Sequence, residues 1–436
     1  MEVEDIASAA RQVLRRHVIA PFVPRCVDRE YGGFLVEFDD RWRATGPQEK
    51  SLEHAARTTL AFALLERALP GEGFAELVRH GCAFLREAMW DAAHGGFFAR
   101  VDRAGQPLWQ GLKHPHAVTY AAEAFLLATP LLPKGEGPRW ADRALQWLDD
   151  VAWDRTSGGY WGSYRADNVR FLDGARLPTP DGRDIFGLSP GFKEINSQGD
   201  AIEMLTRFEA HCPDPRRAAR LQFLVELVAD RLVQPRGILP YRYWPDWRPA
   251  PDLLRVGYQF LMARHLLLSP AMPRSATALE RARELTEFCL VAARHPWGGF
   301  CFAVTADGRS WPAIGPQGDL RQWWVQLEAV HTLHLLAHAV KDQCARERYL
   351  HARDEQWEFL RSTYLDDKHG GTRELPPDQP RGLGDIFGWL RRAPPRALNL
   401  KMHCWKDPSH EIGTLLSLIS NAAPDASRGH AARATN

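Results

Sequence analysis

Paired cysteines, long apolar runs and any excess of charge are all missing from this sequence. The seven cysteines (Cys26, Cys82, Cys212, Cys289, Cys301, Cys344 and Cys404) are scattered, odd in number and never spaced as CxxC. That excludes a disulfide framework and argues against a zinc site, so no metal is expected. No uninterrupted apolar stretch reaches membrane-spanning length, and the opening MEVEDIASAARQVLRRHV has no basic segment followed by an apolar one. A cytoplasmic protein without a membrane partner is the expectation. The formal net charge is +1, and the arginines between Arg391 and Arg396 are interrupted by proline. Nothing here gathers phosphate backbones, so nucleic acid is not an expected partner. What remains is ordinary for a globular chain with a large core: of 436 residues, 45% are apolar and 25% charged.

The strongest positive signal is an internal repeat. A glycine-containing, aromatic-rich stretch returns six times: Tyr31-Gly-Gly-Phe34, His94-Gly-Gly-Phe97, Ser157-Gly-Gly-Tyr-Trp161, Arg236-Gly-Ile-Leu-Pro-Tyr241, Trp297-Gly-Gly-Phe300 and His369-Gly-Gly-Thr372. Several copies continue as alternating residues and a polar turn, the pattern of a short β-hairpin. Successive copies lie roughly sixty to eighty residues apart, room for two helices and their turns. The intervening segments, among them LEHAARTTLAFALLERAL and VQLEAVHTLHLLAHAV, place apolar residues at i, i+3, i+4 and i+7. Six helix pairs cannot each bury an apolar face alone; packed side by side they close into a toroid, an all-α (α/α)6 barrel with a funnel at one end. A single such domain is expected over residues 1–420, with a disordered tail over 421–436.

Two loops exceed the others, Ala166 to Ile195 and Leu375 to Leu398. Each contains Asp-Ile-Phe-Gly (Asp184 to Gly187 and Asp385 to Gly388) and each leads to a polar cluster. Long loops in a compact domain tend to be lids or walls of a site.

Inner helices of such a barrel should be apolar except where they line its cavity, which singles out their polar residues. In Arg321-Gln-Trp-Trp-Val-Gln-Leu-Glu328, Trp324 and Glu328 stand four apart, with Gln326 close by on the same helix. Aromatic rings stack on the C–H face of a pyranose, and carboxylates and amides bind its hydroxyls. The stretch from Asn399 to Glu411 gathers Lys401, His403, Trp405, Lys406 and His410, with His410 suited to proton transfer. Asn196, Asp200 and Glu203 recur at helical spacing, although Asp200 or Ser197 could equally cap the helix. Arg57, Lys113 and His116 lie on apolar helix faces or at their starts, and an unpaired guanidinium inside a bundle is costly.

These residues resemble the N-acylglucosamine 2-epimerase superfamily, which includes cellobiose 2-epimerase and mannose isomerase. The likeness spans nearly the whole chain. It rests on Lys50-Ser51-Leu52 with Arg57, on Asn196 to Glu203, on the Trp-Trp-x-Gln-x-Glu stretch from Trp323 to Glu328, and on Trp405, Lys406 and His410. The resemblance implies proton transfer between two histidines through an enediolate, yielding a 2-epimer or a ketose, with no cofactor. It makes His410 one of that pair. The family's Gly-His-x-x-Glu motif is Gly257-Tyr258-Gln-Phe-Leu261 here, and the histidine of its Asn-x-x-x-His pattern is Asp200. Tyrosine titrates near 10 and is a weak base at neutral pH unless a cation lowers it.

Three readings follow. The first is a sugar 2-epimerase or aldose–ketose isomerase with catalytic His410, Tyr258, Glu328 and Asp200, and with Arg57, Lys113, His116, Asn196, Glu203, Trp324, Gln326, Trp405 and Lys406 binding the sugar. The second is hydrolysis or elimination by paired carboxylates such as Asp200 and Glu328. The third is a carbohydrate-binding protein without turnover. The partner in each is a small sugar, and a homodimer is the candidate assembly.

Overall fold

The computed structural model describes residues 5–310, 318–377 and 400–420. Among the described residues twelve α-helices of eight residues or more follow one another in chain order: α1 (Ile6–Val13), α2 (Leu52–Ala68), α3 (Phe74–Phe84), α4 (Pro115–Leu127), α5 (Glu136–Trp147), α6 (Ile195–His211), α7 (Pro215–Glu226), α8 (Val256–Leu268), α9 (Ala278–Ala292), α10 (Trp323–Ala339), α11 (Gln343–Tyr364) and α12 (Ser409–Ser420). Helices α2, α4, α6, α8, α10 and α12 each touch the next in that order, and α12 returns to α2, so they form a closed inner ring. Against them pack α3, α5, α7, α9, α11 and α1, the outer ring. This is the (α/α)6 barrel that the repeat predicts.

The two rings differ as their sequences dictate. In α10, Trp323 through Ala337 are all buried, as a helix apolar on every side must be. In α5, only Gly137, Trp140, Ala141, Ala144 and Trp147 are buried, a single stripe at helical spacing. Local signals set the starts. Ser51 accepts from His54 N–H ahead of α2, Asp214 from Arg216 and Arg217 ahead of α7, and Pro115 and Pro215 sit in first turns. Four outer helices, α1, α3, α5 and α7, run on into a wider π-turn before the chain leaves them.

The glycine-rich copies fold into tight turns closed by bridges such as Trp90 to Phe97 and Trp153 to Tyr160. Gly159, at φ 76°, has no room for a Cβ, which would fall 2.3 Å from Trp247. The two-residue strands beyond the turns open short hairpins, with Val101 bridging Pro107 and Tyr243 bridging Pro249, and they also pair across repeats: Lys50–Ser51 with Arg100–Val101, Lys193–Glu194 with Arg242–Tyr243, and Leu254–Arg255 with Ala303–Val304. Each turn is thereby tied to the foot of the preceding inner helix. The tail from 421 onward, Asn399, the arginines from Arg391 to Arg396 and the second Asp-Ile-Phe-Gly string (Asp385 to Gly388) lie outside the described residues.

Two recurring polar devices lock turns to helices. Gln198, Gln259 and Gln326 each clip the backbone of one turn residue, accepting from its N–H and donating to its C=O, at Tyr160, Leu239 and Phe300 respectively. A primary amide matches a peptide group in both directions. Lysines do the rest: Lys50 pairs with Asp28, Lys113 with Asp91, Lys193 with Asp154 and Lys401 with Asp366, at 2.5 to 3.0 Å and nearly fully buried.

These devices reassign two residues expected to bind the ligand. Gln326 holds Phe300 and does not face the cavity, because both ends of its amide are used by backbone. Lys113 is 0% exposed, and its ammonium also donates to Ala166 O and Asn168 Oδ1, so it has no proton left for a sugar.

Candidate functional site

At the end of the barrel where the loop from Ala166 to Ile195 lies, a cavity of about 620 Å³ opens between the inner helices. Its wall includes Arg57, His116, Asn196, Tyr258, Trp324, Trp405 and His410, supplied by all six inner helices and the segment before α12. Residues 181–188 cover one side, with Phe186 edge-on to the ring of His116 at 4.8 Å and tilted against Trp405 at 5.8 Å. The loop from Ala166 to Ile195 is therefore a wall of the site. Asp184 shapes it by accepting from Phe186 and Leu188 N–H, a local turn that a short carboxylate favours.

Three histidines line the cavity: His403, whose Nε2 lies 3.2 Å from Glu374, and His410 and His116, each with a carboxylate at its Nδ1. His410, in the first turn of α12, lies 2.8 Å from Glu328 Oε1 on α10. The other Glu328 oxygen accepts from Arg264 Nε at 3.0 Å, and Arg264 also donates to both oxygens of Glu203 at 3.2 and 3.3 Å. Burial acts to raise the Glu328 carboxyl, but Arg264 and His410 hold it well below the usual carboxylate range. His116, in the first turn of α4, hydrogen-bonds Asp200 on α6 through Nδ1, while its Nε2 lies 3.3 Å from Glu53 Oε1. Tyr120 donates to the second Asp200 oxygen at 2.8 Å. Burial alone would lower the His116 pKa; Asp200 and Glu53 hold it at about 10.

Arg57 closes the rim between them. Its guanidinium donates to Glu53 at 2.7 Å and to Ser409 Oγ at 2.6 and 2.9 Å, and Asp407 lies 3.3 Å away. The costly buried guanidinium is thus fully partnered. Asn196 Nδ2 lies 3.3 Å from His116 Nδ1, and Trp324 lies against His410 with ring centres 5.6 Å apart.

Four expected residues take other places, and a fifth keeps its place. Asp200 and Glu328 stand behind the histidines instead of in the cavity wall, since both are almost fully buried and already hydrogen-bonded. Paired carboxylates flanking a glycosidic bond are not what these two residues form. Glu203 lies beneath the floor in ion pairs with Arg264 and Arg207. Lys406 is fully buried and donates to Thr372 O at 2.7 Å; burial brings its pKa down to about 8. Tyr258 does line the cavity, but burial raises its pKa, so it remains a phenol at neutral pH and no base.

Residues the sequence reasoning passed over complete the site: Glu53, Tyr120, Arg264, Asp407, Ser409 and Phe186. Arg264 within GYQFLMARHLLL and Glu53 within SLEHAARTT carried the signal already used for Arg57, a charge inside an apolar helix. Among the described residues no group of three or more histidine, cysteine, aspartate or glutamate side chains could hold a metal, and no helix is long and apolar enough to cross a membrane.

Residues 32–170 match the family model of N-acylglucosamine 2-epimerase (GlcNAc 2-epimerase). The fold matches solved structures along its length. Cellobiose 2-epimerase from Bacillus thermoamylovorans superposes with a TM-score of 0.78 at 18% identity, covering 95% of this chain and 99% of that one. Cellobiose 2-epimerase from Spirochaeta thermophila gives 0.76 at 20% identity, over 95% and 96% of the two chains. A D-mannose isomerase gives 0.76 at 18% identity, over 95% and 98%. The first repeats thus carry the signature of the N-acylglucosamine 2-epimerase family, and the whole length shares the barrel fold of these sugar epimerases and isomerases.

Proposed function

We propose that the chain is a sugar 2-epimerase or aldose–ketose isomerase in which His410 and His116 are the two proton-transfer groups. The observation that carries this reading is the presence, in one cavity, of two imidazoles each anchored at Nδ1 by a buried carboxylate. Anchoring at Nδ1 fixes each ring, and the opposite edge of His116 meets Glu53, itself in the cavity wall, at 3.3 Å. The histidine absent from the Gly257-Tyr258 motif is supplied from a different helix, by His116, with Asp200 as its support.

The division of labour follows from electrostatics. His116, held at about 10, is an imidazolium at neutral pH and serves as the acid. With the acid assigned to His116, the base is His410, held in place by Glu328 and its Arg264 clamp. On an open-chain aldose in the cavity, His410 removes the proton at C2 while Arg57 and the His116 imidazolium steady the developing enediolate oxygens. Return of a proton to C2 from the other face gives the epimer; return to C1 gives the ketose. Trp324, Trp405 and Phe186 offer stacking faces for the ring, and Asn196 a hydrogen-bonding amide.

The test is proton exchange. Mannose, N-acetylmannosamine and cellobiose, each incubated with the protein in D2O, should include one substrate that gains deuterium at C2 and yields an epimer or ketose by NMR. His410→Ala should abolish that exchange. Cleavage of a glycoside without C2 exchange would refute the proposal.

A further inference from the structure

The fourth repeat breaks the pattern that the first three keep, and the break faces the cavity. In the first three repeats the residue before the helix cap is a lysine buried against an aspartate: Lys50 on Asp28, Lys113 on Asp91, Lys193 on Asp154. The cap itself accepts a hydrogen bond: Ser51 from His54 N–H, His114 from His116 N–H, Glu194 from Ser197 N–H. In the fourth repeat the lysine position is Leu254, and the turn Gln234–Pro235–Arg236–Gly237 has no carboxylate. The cap position is Arg255, which makes no capping bond.

A guanidinium at that position is locally unfavourable, since it cannot accept from the free N–H groups and it sits at the positive end of the helix. Arg255 is not compensated by an ion pair: among the described residues it lies within 4.0 Å of no carboxylate, and its contact is with the face of Tyr241, 3.7 Å from the ring centre. It lines the cavity. Beside it on the same wall is Arg242, whose buried Nε has no hydrogen-bond partner and stands 3.8 Å from Asp252. From Arg255 the wall runs through Tyr241, Tyr258 and Trp324 to His410, each ring 4.9 to 5.6 Å from the next.

Resting on the epimerase or isomerase reading, we infer that Arg255, with Arg242, binds an anionic substituent of the sugar, a phosphate or a carboxylate, carried at the end remote from the carbon that His410 attacks. An oxyanion there would supply acceptors for Arg255, for the uncapped helix start and for Arg242 Nε, Arg242 Nη2 being already given to Pro251 O at 2.7 Å, and a planar guanidinium can meet two of its oxygens at once. Asp252 faces the same space and would admit the anion only where Arg242 turns away from it.

The test compares matched sugars. Binding of glucose, glucose 6-phosphate and glucuronate, and of mannose and mannose 6-phosphate, is measured by calorimetry on the full chain, with inorganic phosphate as a further probe. One or both anionic classes should bind at least about tenfold more tightly than the neutral parent, a preference weakened by salt. Arg255→Ser should collapse that ratio towards one, and Arg255→Lys should keep most of it. Arg255→Ser should also raise the melting temperature by about 1 °C, because serine caps the helix as arginine cannot; a merely structural arginine would give a loss. Equal binding of neutral and anionic sugars, survival of the preference in Arg255→Ser, or a lowered melting temperature overturns the inference. An anionic sugar bound through Arg255 without C2 exchange would uphold it and refute epimerisation, so the two proposals fail separately.

Discussion

His116 and His410 look alike from the cavity and differ in what stands behind them. His116 is 2% exposed in its side chain, with a carboxylate at each ring nitrogen, and the Asp200 charge is met there by a neutral phenol, Tyr120. His410 is 14% exposed, with one carboxylate, and that carboxylate is clamped by Arg264. The difference teaches that the environment of an imidazole is set by the partners of its partner, and at His116 the two carboxylates hold the proton up to a pKa of about 10. Nothing in the imidazole itself sets that value.

The widest break in the comparison comes from removing either ring. His410→Ala and His116→Ala should each lower C2 exchange by about 10² to 10⁴-fold, and the double substitution should cost little more than the worse single one, because the two act as a unit. Additive losses, measured by deuterium incorporation, would show that they do not serve one reaction. A smaller effect separates the site from its scaffold. Lys113→Met strips a buried aspartate of its partner and should lower stability by about 3 kcal/mol in urea titration, with activity per folded molecule retained. A raised KM with stability intact would return Lys113 to the binding surface.

The comparison sharpens with Asp200→Asn. With His116 at about 10 in the native protein, the alkaline limb of kcat/KM should fall near pH 10; the substitution should carry it down towards the ordinary histidine range, with activity at pH 8 reduced by about tenfold. An alkaline limb that stays in place would remove His116 as the acid. The smallest effect is on stability. A histidine whose folded pKa exceeds its unfolded value of about 6.5 contributes stability that is complete below that pH and lost as pH rises towards 10. His403, also held at about 10 beside Glu374 against the cost of burial, adds a contribution of the same sign. Denaturant midpoints should therefore decline from pH 6.5 to 10, and less steeply in Asp200→Asn.

Legibility followed the range of the interaction. Arg57, His116, Asn196, Trp324, Trp405 and His410 were readable as cavity residues, because a polar or aromatic group on an inner helix near the loops has few other places to be. Gln326 and Lys113 looked the same by that criterion and proved to be clips on backbone and aspartate. An amide that can bind a sugar can equally bind a peptide group, and only the neighbour decides. Asp200 and Glu328 were legible as functional and not as supports, since their distance from the cavity is set by packing. Arg255 escaped notice because its sequence neighbours, Leu254 and Val256, say nothing of the aspartate missing from the turn near Gln234.

The sequence by itself determined the barrel: six turns, six apolar helices and six amphipathic ones are local facts, and their burial leaves one closed arrangement. Only the tertiary structure decided the chemistry of the site. His116 meets Asp200 across 84 residues and His410 meets Glu328 across 82, and such pairings arise when the ring closes and brings neighbouring helices into register. A proton's affinity depends on charges within a few ångströms in space, which the order of residues along the chain does not record.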